Sequence, residues 1–189
     1  SNCLIAQRRE LEAIGTNAHE LPMIYSALAK NDRALADAPY NVLREWQKEY
    51  DGNLRIILPD TYGSEIFFKN APDWLADWTG VRIDSGNPVK GADIALNWWS
   101  SKGQNTKEKL LIFSDGLDVN TIEKLYVQFS RRAKLSFGWG TLLTNDFRGL
   151  SVGQSADPIS LVCKAVSANG ISTVKISDDE GKSLGVLKE

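Results

Sequence analysis

The amino-acid sequence predicts an α/β fold in which short parallel strands alternate with helices and a β-hairpin lies near the carboxyl end. Short apolar runs recur along the 189 residues, and each is followed by a polar or glycine cluster and then by a helix-like stretch. An Asn169–Gly170 pair separates two later β-prone runs, which is typical of a hairpin turn. Strands that alternate with helices form parallel sheets, so the pattern suits part of a barrel or an open doubly wound sheet.

The predicted strands are five short apolar runs, followed by a longer apolar segment and the hairpin. Each of the first five ends at a polar cluster, such as Ser114-Asp115-Gly116. Parallel α/β folds place their chemistry at the carboxyl ends of the strands, so a functional site is expected at these clusters. In chain order the strands are 11–14, 54–58, 81–83, 110–113 and 134–137, then the apolar segment 159–166 and the run 172–176 after the hairpin turn.

Three helices are predicted between the strands, over 20–30, 89–102 and 120–129. In each, apolar residues recur at intervals of three and four, which places them on one face of a helix. Asp118 is a suitable N-cap for the third helix. The apolar face of that helix is predicted to consist of Ile122, Leu125, Tyr126 and Phe129.

Composition indicates a single domain over residues 1–189 with a sizeable core. The formal net charge of −2 gives no overall attraction to nucleic acid or to an anionic membrane, and no apolar run is long enough to span a bilayer. The two cysteines, Cys3 and Cys163, form no metal-binding motif and suit a reducing, cytoplasmic environment. No secretory leader is recognised at the start of the sequence, so secretion is not expected. The first residue is serine and not methionine, which is expected of a processed or truncated piece.

His19 is the only histidine and lies at a strand-to-helix junction, directly before Glu20. Backbone N–H groups and the helix dipole favour an anion at such a junction. Imidazole is a competent nucleophile toward phosphorus, and an adjacent carboxylate can orient the ring. The alternative is a histidine that is hydrogen-bonded at a helix start and has no catalytic role.

The second candidate cluster follows the strand 81–83. Arg82 can pair with a carboxylate or a phosphate through two parallel hydrogen bonds. Asp84 and Ser85 can then hold ribose hydroxyls or a metal-bound water. The alternative is an internal Arg82–Asp84 pair that closes the loop, and the two uses are compatible.

Two further clusters suit phosphate groups. Gly138, Gly140 and Thr141 follow a strand, where glycines let backbone amides approach a phosphate closely. Asp115 and Asp118 are two carboxylates near another strand end, a pattern that can hold Mg²⁺ together with substrate phosphates. They can equally be one turn residue and one helix cap.

Taken together, these strand ends resemble the nicotinate phosphoribosyltransferase family over nearly the whole chain, to about residue 178. The resemblance implies a partial or open (β/α) barrel of the type II phosphoribosyltransferase kind. The resemblance rests on the order and spacing of several short segments. These segments are Gly15-Thr16-Asn17-Ala18-His19-Glu20, Leu58-Pro59-Asp60-Thr61-Tyr62-Gly63, residues 82–88, residues 113–118 and residues 135–146.

The resemblance implies an enzyme of NAD salvage that joins nicotinate to phosphoribosyl pyrophosphate and couples the reaction to ATP hydrolysis. His19 would be the phosphorylated residue. Thr16 and Arg82 would contact nicotinate, and Thr141 would bind the phosphoribosyl phosphate. Mg²⁺ on the departing pyrophosphate is expected, and a homodimer is implied. The full predicted set is catalytic His19 and Asp84, with substrate contacts from Thr16, Arg82, Ser85, Asp115, Gly138, Gly140 and Thr141.

The sequence departs from the family pattern in two ways. Many nicotinate enzymes carry Asp-Ser-Gly-Asp where this chain has Asp84-Ser85-Gly86-Asn87, and the latter form is similar to relatives that use nicotinamide. The family also has an amino-terminal α+β region and first barrel strands that this sequence lacks. Two alternatives therefore accompany the first interpretation: a nicotinamide-using enzyme, and a non-catalytic fragment that binds phosphates or a partner subunit.

Overall fold

A computed structural model of the chain describes residues 3–147 and 157–185. Four short strands alternate with helices in its central part, and a hairpin follows near the carboxyl end. In chain order the elements are α1 (Cys3–Arg8), α2 (Glu20–Ala27), α3 (Asp32–Glu49), β1 (Ile56–Ile57), α4 (Ser64–Asn70), β2 (Gly80–Ile83), α5 (Pro88–Ser101), β3 (Leu110–Phe113), α6 (Val119–Phe129), β4 (Lys134–Phe137), α7 (Thr141–Thr144), β5 (Ser167–Ala168) and β6 (Ile171–Ser172).

The four strands β1 to β4 form one parallel sheet in chain order. Ile57 pairs with Val81, Val81 with Leu111, and Leu111 with Leu135. A doubly wound sheet reverses its strand order at a switch point, whereas a barrel does not. The predicted partial (β/α) barrel is therefore confirmed, and the sheet does not close on itself within the described residues.

The main core lies between the sheet and the helices that cover it. Apolar side chains of β2 and β3 are fully buried, as expected for strands that are enclosed on both faces. Aromatic rings fill the space behind them, and the largest fully buried ones are Trp78, Trp99, Phe113 and Phe129. Gly80 allows close approach of β2 to β3, because a Cβ there would lie 2.5 Å from the backbone oxygen of Leu110. None of the described helices has the length and apolar character required to cross a membrane.

Two predicted strands are wrong. Residues 11–14 and 159–166 have no regular secondary structure, and the second segment exposes Ile159, Leu161 and Val166. An apolar run becomes a strand only where a neighbouring strand supplies hydrogen bonds along it. The described structure shows no such pairing for either segment apart from the Val166 carbonyl, which accepts from the Thr173 amide beside the hairpin. The run 172–176 is likewise strand only at Ser172. The hairpin itself is confirmed, with Asn169 and Gly170 both at positive φ.

The predicted helices are found with shifted ends. They correspond to α2, α5 and α6, and Asp118 caps α6 by accepting a hydrogen bond from the Thr121 amide. Tyr126 does not belong to the buried face of α6, because it is 58% exposed. The longest helix, α3, is missing from the sequence-based set, although its N-cap Asn31 was a usable signal.

Candidate active site

His19 immediately precedes α2 and is buried, with 4% of its surface exposed. Its Nδ1 lies 2.9 Å from the Thr61 hydroxyl, and its Nε2 lies 3.1 Å from Oδ2 of Asp84. An ionised carboxylate can only accept, so Nε2 is the ring nitrogen that donates to Asp84. The imidazole is thereby fixed in orientation by residues that follow β1 and β2.

Asp84 is the centre of a hydrogen-bond network at the ends of β2 and β3. Its Oδ1 accepts from Nη2 of Arg82 at 2.6 Å and from the Ser114 hydroxyl at 2.8 Å. Nε of Arg82 donates to the same hydroxyl at 2.7 Å. Burial alone would raise the pKa of Asp84, but the His19 hydrogen bond, the Arg82 charge and the Ser114 hydroxyl together hold that pKa well below its usual range. The internal Arg82–Asp84 pair considered from the sequence is therefore present.

Asp60 is a second carboxylate beside His19 and is almost fully buried, with 1% exposed. Its Oδ2 accepts a hydrogen bond from the Ser85 hydroxyl. Its Oδ1 lies 3.8 Å from Nε2 of His19 and has no hydrogen-bond partner within the described residues. The sequence prediction did not include Asp60 as a site residue, although its position directly after a predicted strand was the signal that could have found it.

The ligand atoms of His19, Asp60 and Asp84 lie within 4.8 Å of one another, close enough to share a metal ion. Mg²⁺ keeps several waters and prefers oxygen ligands. Both oxygens of Asp84 already accept hydrogen bonds, and His19 and Asp60 are buried, so this trio does not suit hydrated Mg²⁺. The Asp115 carboxylate is more accessible, with 38% of its surface exposed, although it forms an ion pair with Lys182.

A cavity of about 670 Å³ opens beside His19 at the carboxyl ends of the strands. Seven of the nine predicted site residues line it, namely His19, Arg82, Asp84, Asp115, Gly138, Gly140 and Thr141. Thr16 and Ser85 do not line it. The Thr16 hydroxyl donates to the carbonyl of Asn17, and the Ser85 hydroxyl donates to Oδ2 of Asp60.

The glycine loop after β4 contributes less backbone to the cavity than its sequence suggests. The Gly138 amide donates to the Phe113 carbonyl at 2.8 Å and so extends the sheet pairing. A Cβ at Gly138 would lie 3.1 Å from Cβ of Ser114, which accounts for glycine at this position. Gly140 and Thr141 remain as the parts of the loop that face open space and the start of α7.

The carboxyl-terminal part of the chain also lines the cavity, which the sequence did not reveal. Residues 173–184 lie across the strand ends, and the Ile176 amide donates to the Thr61 carbonyl at 2.9 Å. The Ser64 amide donates to Oδ1 of Asp178 at 2.8 Å, and the Asp178 amide donates to the Ser85 hydroxyl. Three lysines from this part of the chain reach the cavity: Lys164, Lys175 and Lys182.

Comparison with known proteins gives one consistent result. The model of the nicotinate phosphoribosyltransferase (NAPRTase) family matches residues 1–187. The chain is similar to the crystal structure of a nicotinate phosphoribosyltransferase from Porphyromonas gingivalis, with 32% identity and a TM-score of 0.82, and to one from Vibrio cholerae, with 35% identity and a TM-score of 0.84. Each match covers 98% of this chain but only 47% and 44% of the respective solved chains.

Proposed function

The chain belongs to the nicotinate phosphoribosyltransferase family, and on that premise we propose that its cavity serves the synthesis of nicotinate mononucleotide in NAD salvage. Nicotinate and phosphoribosyl pyrophosphate are the substrates, pyrophosphate is released, and ATP hydrolysis is coupled through a phosphohistidine at His19. One observation carries the proposal: the buried His19 lines the same cavity as Arg82 and Thr141. The chain spans less than half the length of the two solved relatives, so the proposal concerns the chemistry of this cavity.

In the coupling step an imidazole nitrogen of His19 attacks the γ-phosphorus of ATP. A nitrogen–phosphorus bond forms, the bond from phosphorus to the bridging oxygen breaks, and ADP leaves. Asp84 holds the ring at 3.1 Å and offsets the positive charge that develops on it. New negative charge on His19 then acts on the neighbouring loops and can tighten the binding of the other substrates.

In the transfer step pyrophosphate departs from the sugar and leaves an oxocarbenium-like centre. Positioning and charge neutralisation supply most of the catalysis in such a reaction. Arg82 would pair with the nicotinate carboxylate, and its position at the cavity and the hydrogen bonds that orient its Nε and Nη2 toward Ser114 and Asp84 support this role. Thr141 and Gly140 would bind the phosphoribosyl phosphate. Mg²⁺ would enter bound to the pyrophosphate group of the phosphoribosyl donor, and Asp115 would hold it in place of its ion pair with Lys182.

Labelling with γ-³²P-ATP tests the phosphohistidine. We expect acid-labile, base-stable label on the wild-type chain and none on His19→Ala. The melting temperature of the variant should fall, because His19 is buried and hydrogen-bonded to Thr61 and Asp84, so circular dichroism must show that the variant is folded at the assay temperature. The chain contains one histidine, so the site of label is unambiguous. Histidine-type label that persists in His19→Ala, or its absence from wild type in a chain restored to the full length of the family, contradicts the assignment.

Two alternatives are separated by further assays. Competition between nicotinate and nicotinamide identifies the base, and a preference for nicotinamide would favour the amide-using relatives. Binding of phosphates without label or turnover would favour a non-catalytic fragment. The homodimer, the dependence on Mg²⁺ and the cytoplasmic location stay predictions from the family resemblance, and sedimentation analysis of the chain tests the first of them.

A further inference from the structure

A second cavity, of about 980 Å³, lies beside the candidate active site, and the two share no lining residue among those that the structure describes. Helices α2, α3 and α4 enclose it together with the loop after β1 and the hairpin. Its lining is mostly apolar, and a cavity of this size and character is typical of a ligand site. Large apolar side chains from three elements are exposed around it, namely Leu35, Ile66, Ile171 and Ile176. Exposed apolar residues that converge on one place indicate a binding surface.

The second cavity has no net charge in its described lining. Its charged residues there are one carboxylate, Asp37, and one guanidinium, Arg44. Each has a partner on its own helix, since Oδ2 of Asp37 lies 3.9 Å from Nε of Arg33 and Nη1 of Arg44 donates to the side chain of Asn41. The active-site cavity instead contains four cationic side chains against two carboxylates. A neutral ligand therefore suits the second cavity better than an anionic substrate, which would lose its hydration without gaining a counter-charge.

Asn17 gives the second cavity a specific polar group. The residue is 3% exposed and lines the cavity, and its Oδ1 has no hydrogen-bond partner within the described residues. Its Nδ2 is satisfied, because it donates to the Ala18 carbonyl at 3.2 Å. The buried hydroxyl of Tyr40, also in the lining, is likewise satisfied by the Phe67 carbonyl at 2.8 Å. A buried acceptor without a donor is costly, so a ligand with an N–H or O–H group directed at Oδ1 would remove that cost.

Thr61 connects the second cavity to His19. It lines the cavity and is 2% exposed, and its hydroxyl lies 2.9 Å from Nδ1 of His19. Nε2 of the neutral ring donates to a carboxylate, so Nδ1 accepts from this hydroxyl. The chain after the hairpin separates the two cavities, because Val174 and Ile176 line the second one while Lys175 between them lines the active site. A molecule that displaces Thr61 would therefore change the hydrogen bond that orients the imidazole.

We infer that the second cavity is a regulatory ligand site for a neutral, largely apolar molecule with a hydrogen-bond donor, and that its occupancy is transmitted to His19 through Thr61. The donor would bond to Oδ1 of Asn17, and the apolar body would contact the three helices. The inference goes beyond the proposed function and does not depend on the phosphohistidine, because it concerns the orientation of the ring and not its reaction.

Binding of N-phenyl-1-naphthylamine to the 189-residue chain tests the site. This probe is neutral and largely apolar, has one N–H donor, and fluoresces strongly only in apolar surroundings. We expect saturable fluorescence enhancement with one probe molecule per chain. Ala36→Trp places a large ring in the lining and should weaken binding by about 10-fold or more. Arg33→Trp is the matched control on the same helix, since that side chain is 93% exposed and does not line the cavity, and its affinity should equal that of wild type.

The role of Asn17 is tested with Asn17→Leu, which keeps a similar volume and removes the acceptor. Its affinity for the probe should fall by about 3- to 10-fold, the value of one hydrogen bond. The N-methylated probe has no donor, so wild type and Asn17→Leu should bind it equally. Equal losses for both probes overturn the hydrogen bond to Asn17. Lack of saturable binding by wild type, or equal affinity of wild type and Ala36→Trp, overturns the site.

The link to His19 is measured by ¹⁵N NMR of the imidazole, which is unambiguous because the chain contains one histidine. Saturating probe should shift the Nδ1 resonance. Thr61→Val keeps the shape of the side chain without its hydroxyl, and should retain the probe while abolishing the shift. Binding by wild type without a shift, or the same shift in Thr61→Val, overturns the coupling.

The same titration on a chain restored to the full length of the family decides between a ligand and the remainder of the protein as occupant. This comparison is needed because the chain covers only 47% and 44% of the two solved relatives. Retained binding supports the ligand site. Loss of binding overturns it and assigns the cavity to a segment of the longer chain. Failure of ATP to label His19 would remove the phosphohistidine and leave the result of this titration unchanged.

Discussion

Asp84 receives hydrogen bonds from three residues that lie far apart in the sequence, His19, Arg82 and Ser114. Its pKa in the folded protein is below the ordinary value of about 3.9 for an unfolded chain. A carboxyl group with a lowered folded-state pKa stabilises the protein above its unfolded pKa. This contribution is lost as the pH falls through the folded-state pKa. The stabilising contribution of Asp84 is therefore lost as the pH falls below about 4.

Asp84→Asn should lower the free energy of unfolding at neutral pH by about 2 kcal/mol, because the charged hydrogen bonds to Arg82 and His19 are weakened. It should also reduce the loss of stability between about pH 4 and pH 2, since one acid-titrating group is gone. Urea unfolding over this range measures both effects. Asp93→Asn is the control, because Asp93 and Arg132 form a pair in which both side chains are 42% exposed. An acid-range slope in Asp84→Asn that equals that of wild type would contradict the prediction.

At this scale the sequence located the residues that directly follow strands. Arg82, Asp84, Asp115 and the glycine loop share one cavity, because the carboxyl ends of parallel strands meet at one edge of a sheet. His19 reaches the same cavity from the start of α2, although the segment before it is not a strand. Asp60 and Ser114 follow the same rule and were missed as site residues. The lysines at 164, 175 and 182 obey no such rule, since they lie in a segment whose position depends on tertiary contacts. No local pattern predicts where such a segment docks.

At the scale of the elements, the N-cap of α5 is Asn87, the residue at which this chain departs from the Asp-Ser-Gly-Asp form of many nicotinate enzymes. The side chain of Asn87 accepts hydrogen bonds from the amides of Val89 and Lys90, and Pro88 occupies the first turn. Asn87 is exposed and does not line the cavity. Asparagine and aspartate are about equally good N-caps, so the departure from Asp-Ser-Gly-Asp has a structural account that involves no ligand.

Asn87→Asp should therefore leave the preference between nicotinate and nicotinamide unchanged, and should alter stability by less than about 0.5 kcal/mol. Asn87→Ala should cost about 1 kcal/mol through loss of the cap, again without a change in base preference. Competition assays with both bases, together with thermal unfolding, measure the two effects. A change of about 10-fold or more in the preference between nicotinate and nicotinamide in Asn87→Asp would show that this position contributes to substrate specificity.

The elements were predicted best where short runs pair within the parallel sheet, both in the buried strands β2 and β3 and in the partly exposed strand β4. Strands β2, β3 and β4 are found within one residue of their predicted bounds. The runs 11–14 and 159–166 have similar composition but no neighbouring strand, and composition alone does not contain that information. Helix α3 was missed even though its cap and amphipathic spacing are regular, and Pro39 inside it is a residue that usually argues against a helix.

At the scale of the whole molecule, the carboxyl-terminal segment is held against the sheet by a few specific contacts. Asp178 bonds to the amide and hydroxyl of Ser64 and to the Ser85 hydroxyl. Gly86 lies directly beneath it at φ +70°, and a Cβ there would lie 2.9 Å from Cβ of Asp178. Absence of a side chain at position 86 thus permits the segment to reach the cavity.

Gly86→Ala should displace the segment and increase amide hydrogen exchange at Ile176 by about 10-fold or more, because the free energy needed to open the segment locally becomes smaller. Gly103→Ala is the matched control, since Gly103 has φ +72° and a Cβ added there would meet nothing within 4 Å. Both variants should lose about 1 kcal/mol through backbone strain. Only the first should release the Ile176 amide from Thr61, and equal exchange in the two variants would contradict this view of the segment.

The contacts between Ser64 and Asp178 span 114 residues of sequence. During translation the parallel strands therefore emerge from the ribosome well before the lysines that complete the cavity. A nascent chain can assemble the sheet while the cavity still lacks Lys164, Lys175 and Lys182. The lining of the cavity is in this way complete only after the segment that reaches residue 184 has been made.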